Sequence, residues 1–292
     1  MQPHPAQPIC TGTRLGRPYG AGAHVAMAQP RCAAGCVPGR RGVAADRPCH
    51  AGVTPRASVV TVTAVALVIS PHFDDAVLSC GHWLHTNPGA VVATVCSGDP
   101  GPGIPASTGW DADAGFATAS EATNARRAED SAALAVLGSG QRLLGFLDNP
   151  YRVGRPLDEN GCVEEAVAAL LDELRPSLCL VPLGLLHPDH VGTGLAARAA
   201  LRGRPTCTAV AYRDLPYAFM PDWPHLEAEA RAAIQAEGVE MTLYSTALPM
   251  TDDAKRQAVG CYASQLPLLD QELVQRTLEL GSERFWHLEV RR

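Results

Sequence analysis

The stretch Ala64-Val65-Ala66-Leu67-Val68-Ile69-Ser70-Pro71-His72-Phe73-Asp74-Asp75 decides how this chain is read. Its apolar run predicts a buried strand. Where the run stops, one imidazole and two carboxylates follow within four residues, and a helical segment over 76–85 takes over at once. Open α/β sheets place their ligand sites at the carboxyl ends of strands. Far downstream a second apolar run, Leu178-Cys179-Leu180-Val181-Pro182, leads into Leu186-His187-Pro188-Asp189-His190. Two strands would then bring His, Asp and His to one sheet edge, a donor set suited to a divalent metal.

Around these stretches strand and helix alternate. The first strand falls within 59–69 and a second β-rich run covers 90–96. Residues 97–115, rich in Gly, Pro and Asp, form a loop long enough to be a rim or lid. A helix over 121–137 stops at Gly138, and a strand over 141–147 ends at Asp148-Asn149. Val163, Val167, Leu170, Leu171 and Leu174 keep helical spacing up to Pro176. Beyond the second apolar run come a small-residue helix over 191–201, a strand over 208–212 and a helix over 226–236. A strand over 241–245 and a helix over 252–265 complete the series. This predicts one α/β, Rossmann-like domain over 58–292, its sheet mainly parallel with helices on both faces.

Charge and composition exclude several classes. A net charge of −6 over 292 residues argues against a nucleic-acid surface. No apolar run reaches the roughly 18–20 residues of a membrane span. Residues 1–57 hold seven arginines and one aspartate, a charge of +6 that leaves −12 on the remainder. Without a sustained period they are expected to be a disordered extension, or no part of the native protein should translation begin near Met27 or just before Val62. Arg40-Arg41 lacks the apolar run of an export signal. Cys32, Cys36, Cys49 and His50 lack the second spaced pair of a zinc knuckle. The other six cysteines fall mostly in apolar runs, as small hydrophobes do. Buried free thiols suit a reducing compartment, the cytoplasm.

A His–Asp–His set leaves one metal position open for water, whereas closed structural zinc sites use four ligands and are usually Cys-rich. Asp74 and Asp75 should point in different directions, so one can hold the metal and the other the nucleophilic water. Of His187 and His190, one can ligate while the other donates a proton. Each segment alone has a plainer reading: a helix N-cap for Asp-Asp, a polar turn for His-Pro-Asp-His. Two such segments, each after a buried strand, favour a functional metal site.

Over about residues 62–290 the chain resembles the PIG-L/LmbE-like zinc-dependent N-acetylglucosaminyl deacetylases. Their His-x-Asp-Asp motif is His72-Phe73-Asp74-Asp75 here, and their His-x-Asp-His motif is His187-Pro188-Asp189-His190. Arg126-Arg127-Ala128-Glu129-Asp130, Phe146-Leu147-Asp148 and Asp214-Leu215-Pro216-Tyr217 are also similar, as is Lys255 with Tyr262-Ala263-Ser264-Gln265. The last two resemble the members that act on glycopeptide antibiotics. The resemblance implies His72, Asp75 and His190 as ligands of Zn²⁺, with another divalent metal such as Fe²⁺ as the alternative. It implies Asp74 as general base and His187 as general acid and oxyanion stabiliser, with Asp189 orienting that histidine. Arg126 and Asp148 match positions that bind sugar hydroxyls; their plainer readings are a surface pair with Glu129 and a strand-end turn residue.

Three positions depart from the commoner pattern: Phe73 for Pro, Ala76 for Glu, and Leu185 where some members place a carbonyl-polarising Tyr. His82 and His85 are expected to be structural. The implied activity is removal of an N-acyl group, N-acetyl first, from a glucosamine-type sugar on a small molecule or glycoconjugate. Loops 99–115, 151–159 and 217–226 would set acyl length and aglycone, with Trp110, Tyr217 and Trp223 available to stack on a sugar. The alternatives are an amidase acting on a thiol–sugar conjugate and a non-catalytic sugar-binding homologue. His72, Asp74 and His190 also fit the two-His-one-carboxylate pattern of non-haem iron oxygenases, a class expected on all-β double sheets.

Overall fold

In the computed structural model, residues 65–152, 154–215, 217–246, 253–279 and 283–290 are described. The 1–57 extension, its Cys32/Cys36/Cys49/His50 set and the strand residues expected over 59–64 lie outside them. The opening apolar run becomes β1 (Ala66–Ser70), which pairs in parallel with β2 (Val91–Thr94) on one side and β4 (Leu178–Pro182) on the other. β3 (Gly140–Leu143) extends the sheet beyond β2, and β5 (Thr208–Tyr212) extends it beyond β4, both in parallel. β7 (Arg284–Val290) then runs antiparallel between β5 and β6 (Val239–Thr246), giving the order β3-β2-β1-β4-β5-β7-β6. Strand order reverses between β1 and β4. That is the switch point where open α/β sheets leave a crevice.

Burial on both faces explains the unbroken apolar run of β1. Leu67 and Ile69 join a layer with α3 (Cys162–Leu174), α4 (Pro188–Leu201) and α5 (Trp223–Ala236). Val68 joins the opposite layer with α1 (Asp75–Thr86), α2 (Ala119–Val136) and α6 (Asp253–Val259). Leu67, Val68 and Ile69 are fully buried. At about 1.5–3 kcal/mol each, they hold β1 firmly beneath a loop whose carboxylates are costly to desolvate. Ser70 then closes that loop: its hydroxyl donates to the His72 carbonyl (2.7 Å) and accepts from the Ala76 N–H (3.0 Å).

The expected fold class is what the structure contains, with local differences: β3 ends at Leu143 rather than 147, α5 begins at Trp223 rather than 226, and three others have a clear physical reason. α4 begins at Pro188, three residues before the expected start, because Pro is pre-set for a first helical position and His187 caps the helix. α6 stops at Val259 instead of running to 265. Beyond Gly260 the chain is drawn onto α2, where Ser264 donates its N–H and hydroxyl to Glu129 (2.8 and 2.7 Å). The sequence reading places no element after 265, yet α7 (Gln271–Glu279) and β7 follow. β7 sends Phe285 to one layer and Trp286 and Leu288 to the other, and its apolar–polar alternation is confined to Trp286-His287-Leu288-Glu289-Val290 because the preceding Phe285 is apolar as well.

Candidate active site

The loops after β1 and β4 leave the sheet side by side, and they carry both motifs. Asp75 Oδ2 accepts the His72 backbone N–H at 2.8 Å and lies 3.1 Å from His72 Nδ1. The same oxygen lies 3.1 Å from His190 Nε2. His190 sits in the first turn of α4, completely buried, with Nδ1 2.7 Å from Asp214 Oδ1. Asp214 Oδ2 accepts the N–H groups of Gly184 (2.9 Å) and Leu185 (3.2 Å), so Asp214 is anchored as an acceptor. This network assigns the proton to Nδ1 of His190 and leaves a lone pair on Nε2. Gly184 is needed here: a Cβ would meet the Val191 Cα at 3.1 Å, and its φ is +90°.

His190 Nε2 is buried and has no hydrogen-bond partner among the described residues. A lone pair aimed at a carboxylate, with the opposite ring nitrogen held by a second carboxylate, is the arrangement of a metal-ligating histidine. Ligand atoms around a tetrahedral ion lie roughly 3.3–3.5 Å apart when each bond is about 2.0–2.2 Å. The two 3.1 Å separations at Asp75 Oδ2 are a few tenths of an ångström shorter, close enough for small side-chain shifts to admit such an ion. Donor atoms of His72, His187 and His190 also lie within 4.8 Å of one another. So do those of His72, Cys96 and Asp189, but there the Arg152 guanidinium already supplies the positive charge.

Charge makes the same point. Burial alone would lower both imidazoles, yet Asp148, Asp189 and Asp75 raise His72 well above its usual value. Asp75 and Asp214 likewise raise His190 to about 9. Asp75 is buried, but His190 and His72 hold it well below the usual carboxylate range. So many carboxylates draw in positive charge, and a divalent cation can take the place of those protons.

Asp74 occupies the N-cap position of α1, yet its side chain makes no capping bond. The plain helix-cap reading therefore fails for it. Its carboxylate lines a cavity of about 320 Å³ with His72, Phe73 and His187. Burial and the neighbouring Asp75 raise it to about 6, against the opposing pull of His72 and Arg126.

His187 does cap its helix: Nδ1 accepts the Asp189 N–H at 3.2 Å. Its ring is aimed by a tight turn in which the His187 N–H bonds the Leu185 carbonyl (2.6 Å) around Leu186 at φ +59°. Burial, followed by His72 and His190, lowers its pKa. Asp189 departs from expectation, because its carboxylate goes elsewhere than His187. It pairs with Arg152 through both oxygens, accepts the Asn149 N–H (3.1 Å) and meets His72 Nε2 at 3.2 Å. Only its backbone N–H reaches His187; the carboxylate orients His72.

Asp148 lies 3.4 Å from His72 Nε2 and also lines the cavity. Arg126 pairs with Asp111 at 2.5 Å rather than with Glu129, and its guanidinium stands 5.9 Å over the Trp110 ring. Tyr217 packs edge-on against His190 with centroids 5.1 Å apart, whereas Trp223 starts α5 beneath Arg213. Leu185 and Ala76 are buried, and His82 and His85 stay on α1 away from the cavity. Two residues carry roles that the sequence does not announce. Asp214 stands in a stretch similar to the family's with no role attached to it, and Arg152 has no signal beyond following a strand end. Replacing Asp214 by Asn is expected to weaken metal binding about 10–100-fold; a competitive chelator titration measures it, and unchanged affinity would remove Asp214 from the site.

Residues 67–201, which contain both motifs, match the family model "PIG-L: GlcNAc-PI de-N-acetylase". The match to the PIG-L family is carried by these residues. No curated protein sequence matches it. Among solved structures, the chain is similar to the zinc-inhibited form of teicoplanin deacetylase, at 26% identity and a TM-score of 0.61 over 77% of this chain and 97% of that one. The deacetylase of the A40926 pseudoaglycone is 29% identical with a TM-score of 0.56, over 77% and 97% of the two chains. Both relatives match the glycopeptide-antibiotic type that the sequence resembles. The 4-carboxy-2-hydroxymuconate hydratase of Pseudomonas putida KT2440, at 17% identity and a TM-score of 0.53 over 78% and 97%, shares the fold alone.

Proposed function

We propose that the protein is a Zn²⁺-dependent N-deacylase that removes an acetyl or longer acyl group from a glucosamine-type sugar on a larger aglycone. The observation that carries this is the Asp75 oxygen 3.1 Å from both His72 and His190, with Asp74 uncapped in the adjoining cavity wall. His72, Asp75 and His190 would hold the ion, with Fe²⁺ as the alternative. When bound, the ion lowers the pKa of a water and polarises the amide carbonyl.

Asp74 takes a proton from the attacking water, a role suited to a carboxylate raised toward neutrality. His187 is held neutral, since a protonated Nδ1 would confront the Asp189 N–H. Its Nε2–H then donates to the oxygen that becomes negative. This favours the oxyanion role over that of imidazolium acid, and the proton on Asp74 passes to the departing nitrogen as the C–N bond breaks. Water and amide thus become carboxylic acid and amine. Arg126, Asp148 and Trp110 line the cavity where the sugar would lie, with hydroxyls facing the charged groups and a ring face on the indole. Loops 99–115 and 149–151 are tied over that cavity through the Tyr151 hydroxyl bond to Asp111.

Among the described residues no helix is long and apolar enough to cross a membrane, and the six described cysteines are free. Those thiols support a cytoplasmic setting. The deciding experiment measures amine release from a panel of N-acyl glucosaminides, with and without a zinc chelator. Release that the chelator abolishes and added Zn²⁺ restores is expected. Chelator-insensitive release would refute the metal dependence, and no release from any glucosaminide would refute the substrate class.

A further inference from the structure

We infer that Asp130 is a neutral carboxylic acid in the folded protein and acts as a positioning residue, fixing the loop of His72, Asp74 and Asp75 through Tyr262. The functional part rests on reading that loop as catalytic; the protonation state does not.

The number of protons available decides the state. The Tyr262 hydroxyl lies 2.8 Å from Asp130 Oδ1 and 2.9 Å from the Phe73 carbonyl oxygen. A phenol carries one proton. Were Asp130 ionised, both neighbours would be pure acceptors, and one of them would face the phenol oxygen with no hydrogen between. Asp130 and Tyr262 are 0% and 1% exposed, so water offers little relief. Buried polar groups left in that state are rare. Asp130 Oδ2 already accepts from Gln141 Nε2 at 2.7 Å, which puts the acid proton on Oδ1. The chain is then complete: Asp130 Oδ1–H donates to Tyr262, and Tyr262 O–H donates to the Phe73 carbonyl. Burial favours the same state and raises Asp130 to about 7, with the hydrogen bonds from Gln141 and Tyr262 opposing and Asp74 and Asp75 adding to the rise. Those two carboxylates and Tyr262 are the titratable groups that act on it among the described residues, and from β3 the neutral Gln141 reaches it.

The placement explains why two separate stretches of sequence belong together. Arg126, Glu129 and Asp130 occupy one face of α2 at positions i, i+3 and i+4. Arg126 reaches the cavity, Glu129 holds Ser264, and Asp130 holds Tyr262. α2 thereby pins the segment after α6 against the back of the catalytic loop, at the one carbonyl between His72 and Asp74.

Stability then depends on pH with a definite sign. A carboxyl raised in the folded state contributes stability in full below its unfolded pKa of about 3.9, and that stability is lost as pH rises through about 7. Ionised Asp130 would claim the Tyr262 proton and release the Phe73 carbonyl.

The test compares the full-length protein with Asp130→Asn, Asp130→Leu and Tyr262→Phe by thermal melting between roughly pH 5.5 and 8.5, alongside kcat and KM for amine release. Asn reproduces the protonated acid, with an N–H for Tyr262 and an oxygen for Gln141. Asp130→Asn is expected to melt above wild type at alkaline pH, with a flatter pH dependence, and to keep turnover. Asp130→Leu and Tyr262→Phe are expected to lose about 10–100-fold in kcat with KM little changed. An Asn variant that melts below wild type with an undiminished pH slope would overturn the protonation state. Tyr262→Phe at wild-type kcat would overturn the positioning role. Absence of turnover in wild type would count against the proposed reaction alone, since the melting curves decide the protonation state.

Discussion

Replacing Asp74 by Asn is expected to leave bound metal intact and to lower turnover by about 10²–10⁴-fold, the usual contribution of a positioned general base. Asn keeps the shape and removes only the capacity to take a proton. The carboxylate is free of structural duty, since it does not cap α1 and the metal-facing contacts fall to Asp75. KM should therefore change little, because the group acts on water rather than on the sugar. Metal content and steady-state kinetics on the same preparation check both halves. Turnover near wild type would transfer the base role to another residue, and His187 would be the first to re-examine.

Replacing His190 by Ala is expected to remove metal and activity together. This is the larger structural insult as well. His190 is fully buried, and without it the buried Asp214 carboxylate keeps, among the described residues, the N–H groups of Gly184 and Leu185. Breaking a buried pair by deleting one partner costs about 3–5 kcal/mol, so a lowered melting temperature should accompany the loss. The double substitution His190→Ala with Asp214→Ala separates the two effects: stability should recover in part, while metal binding should not. Elemental analysis after desalting gives the metal stoichiometry directly. Stoichiometric zinc retained by the Ala variant would exclude His190 as a ligand and shift the site toward His187.

The two kinds of substitution thus probe different links. Asp74 tests chemistry at a preserved site; His190 tests whether the site exists at all. Asp214→Asn lies between them, changing a ligand's orientation and basicity without deleting it.

Much of this was legible along the chain because it is local. A run such as Ala66–Ile69 can only be buried on both faces, and a polar cluster directly after it must sit at a strand's carboxyl end. The same holds for Leu178–Pro182 and His187–His190. Alternation of such runs with helical spacing left few architectures besides a parallel sheet with two helical layers. β7 is harder to read, because its apolar–polar alternation covers only Trp286–Val290 and is broken by the apolar Phe285 before it.

Residue types and their position at strand ends were thus readable from order alone, whereas the division of labour was a matter of three-dimensional distance. Asp214 and His190 are 24 residues apart, and Arg152 and Asp189 are 37 apart; no spacing rule links either pair. Only packing shows that the Asp189 carboxylate turns to His72 and Arg152 rather than to His187. Only packing shows that Asp74 is uncapped, and that α2 reaches Tyr262 behind the loop. The reason is physical. Secondary structure answers to neighbours within a few residues, while a hydrogen-bond partner is chosen by whatever the fold delivers within about 3 Å.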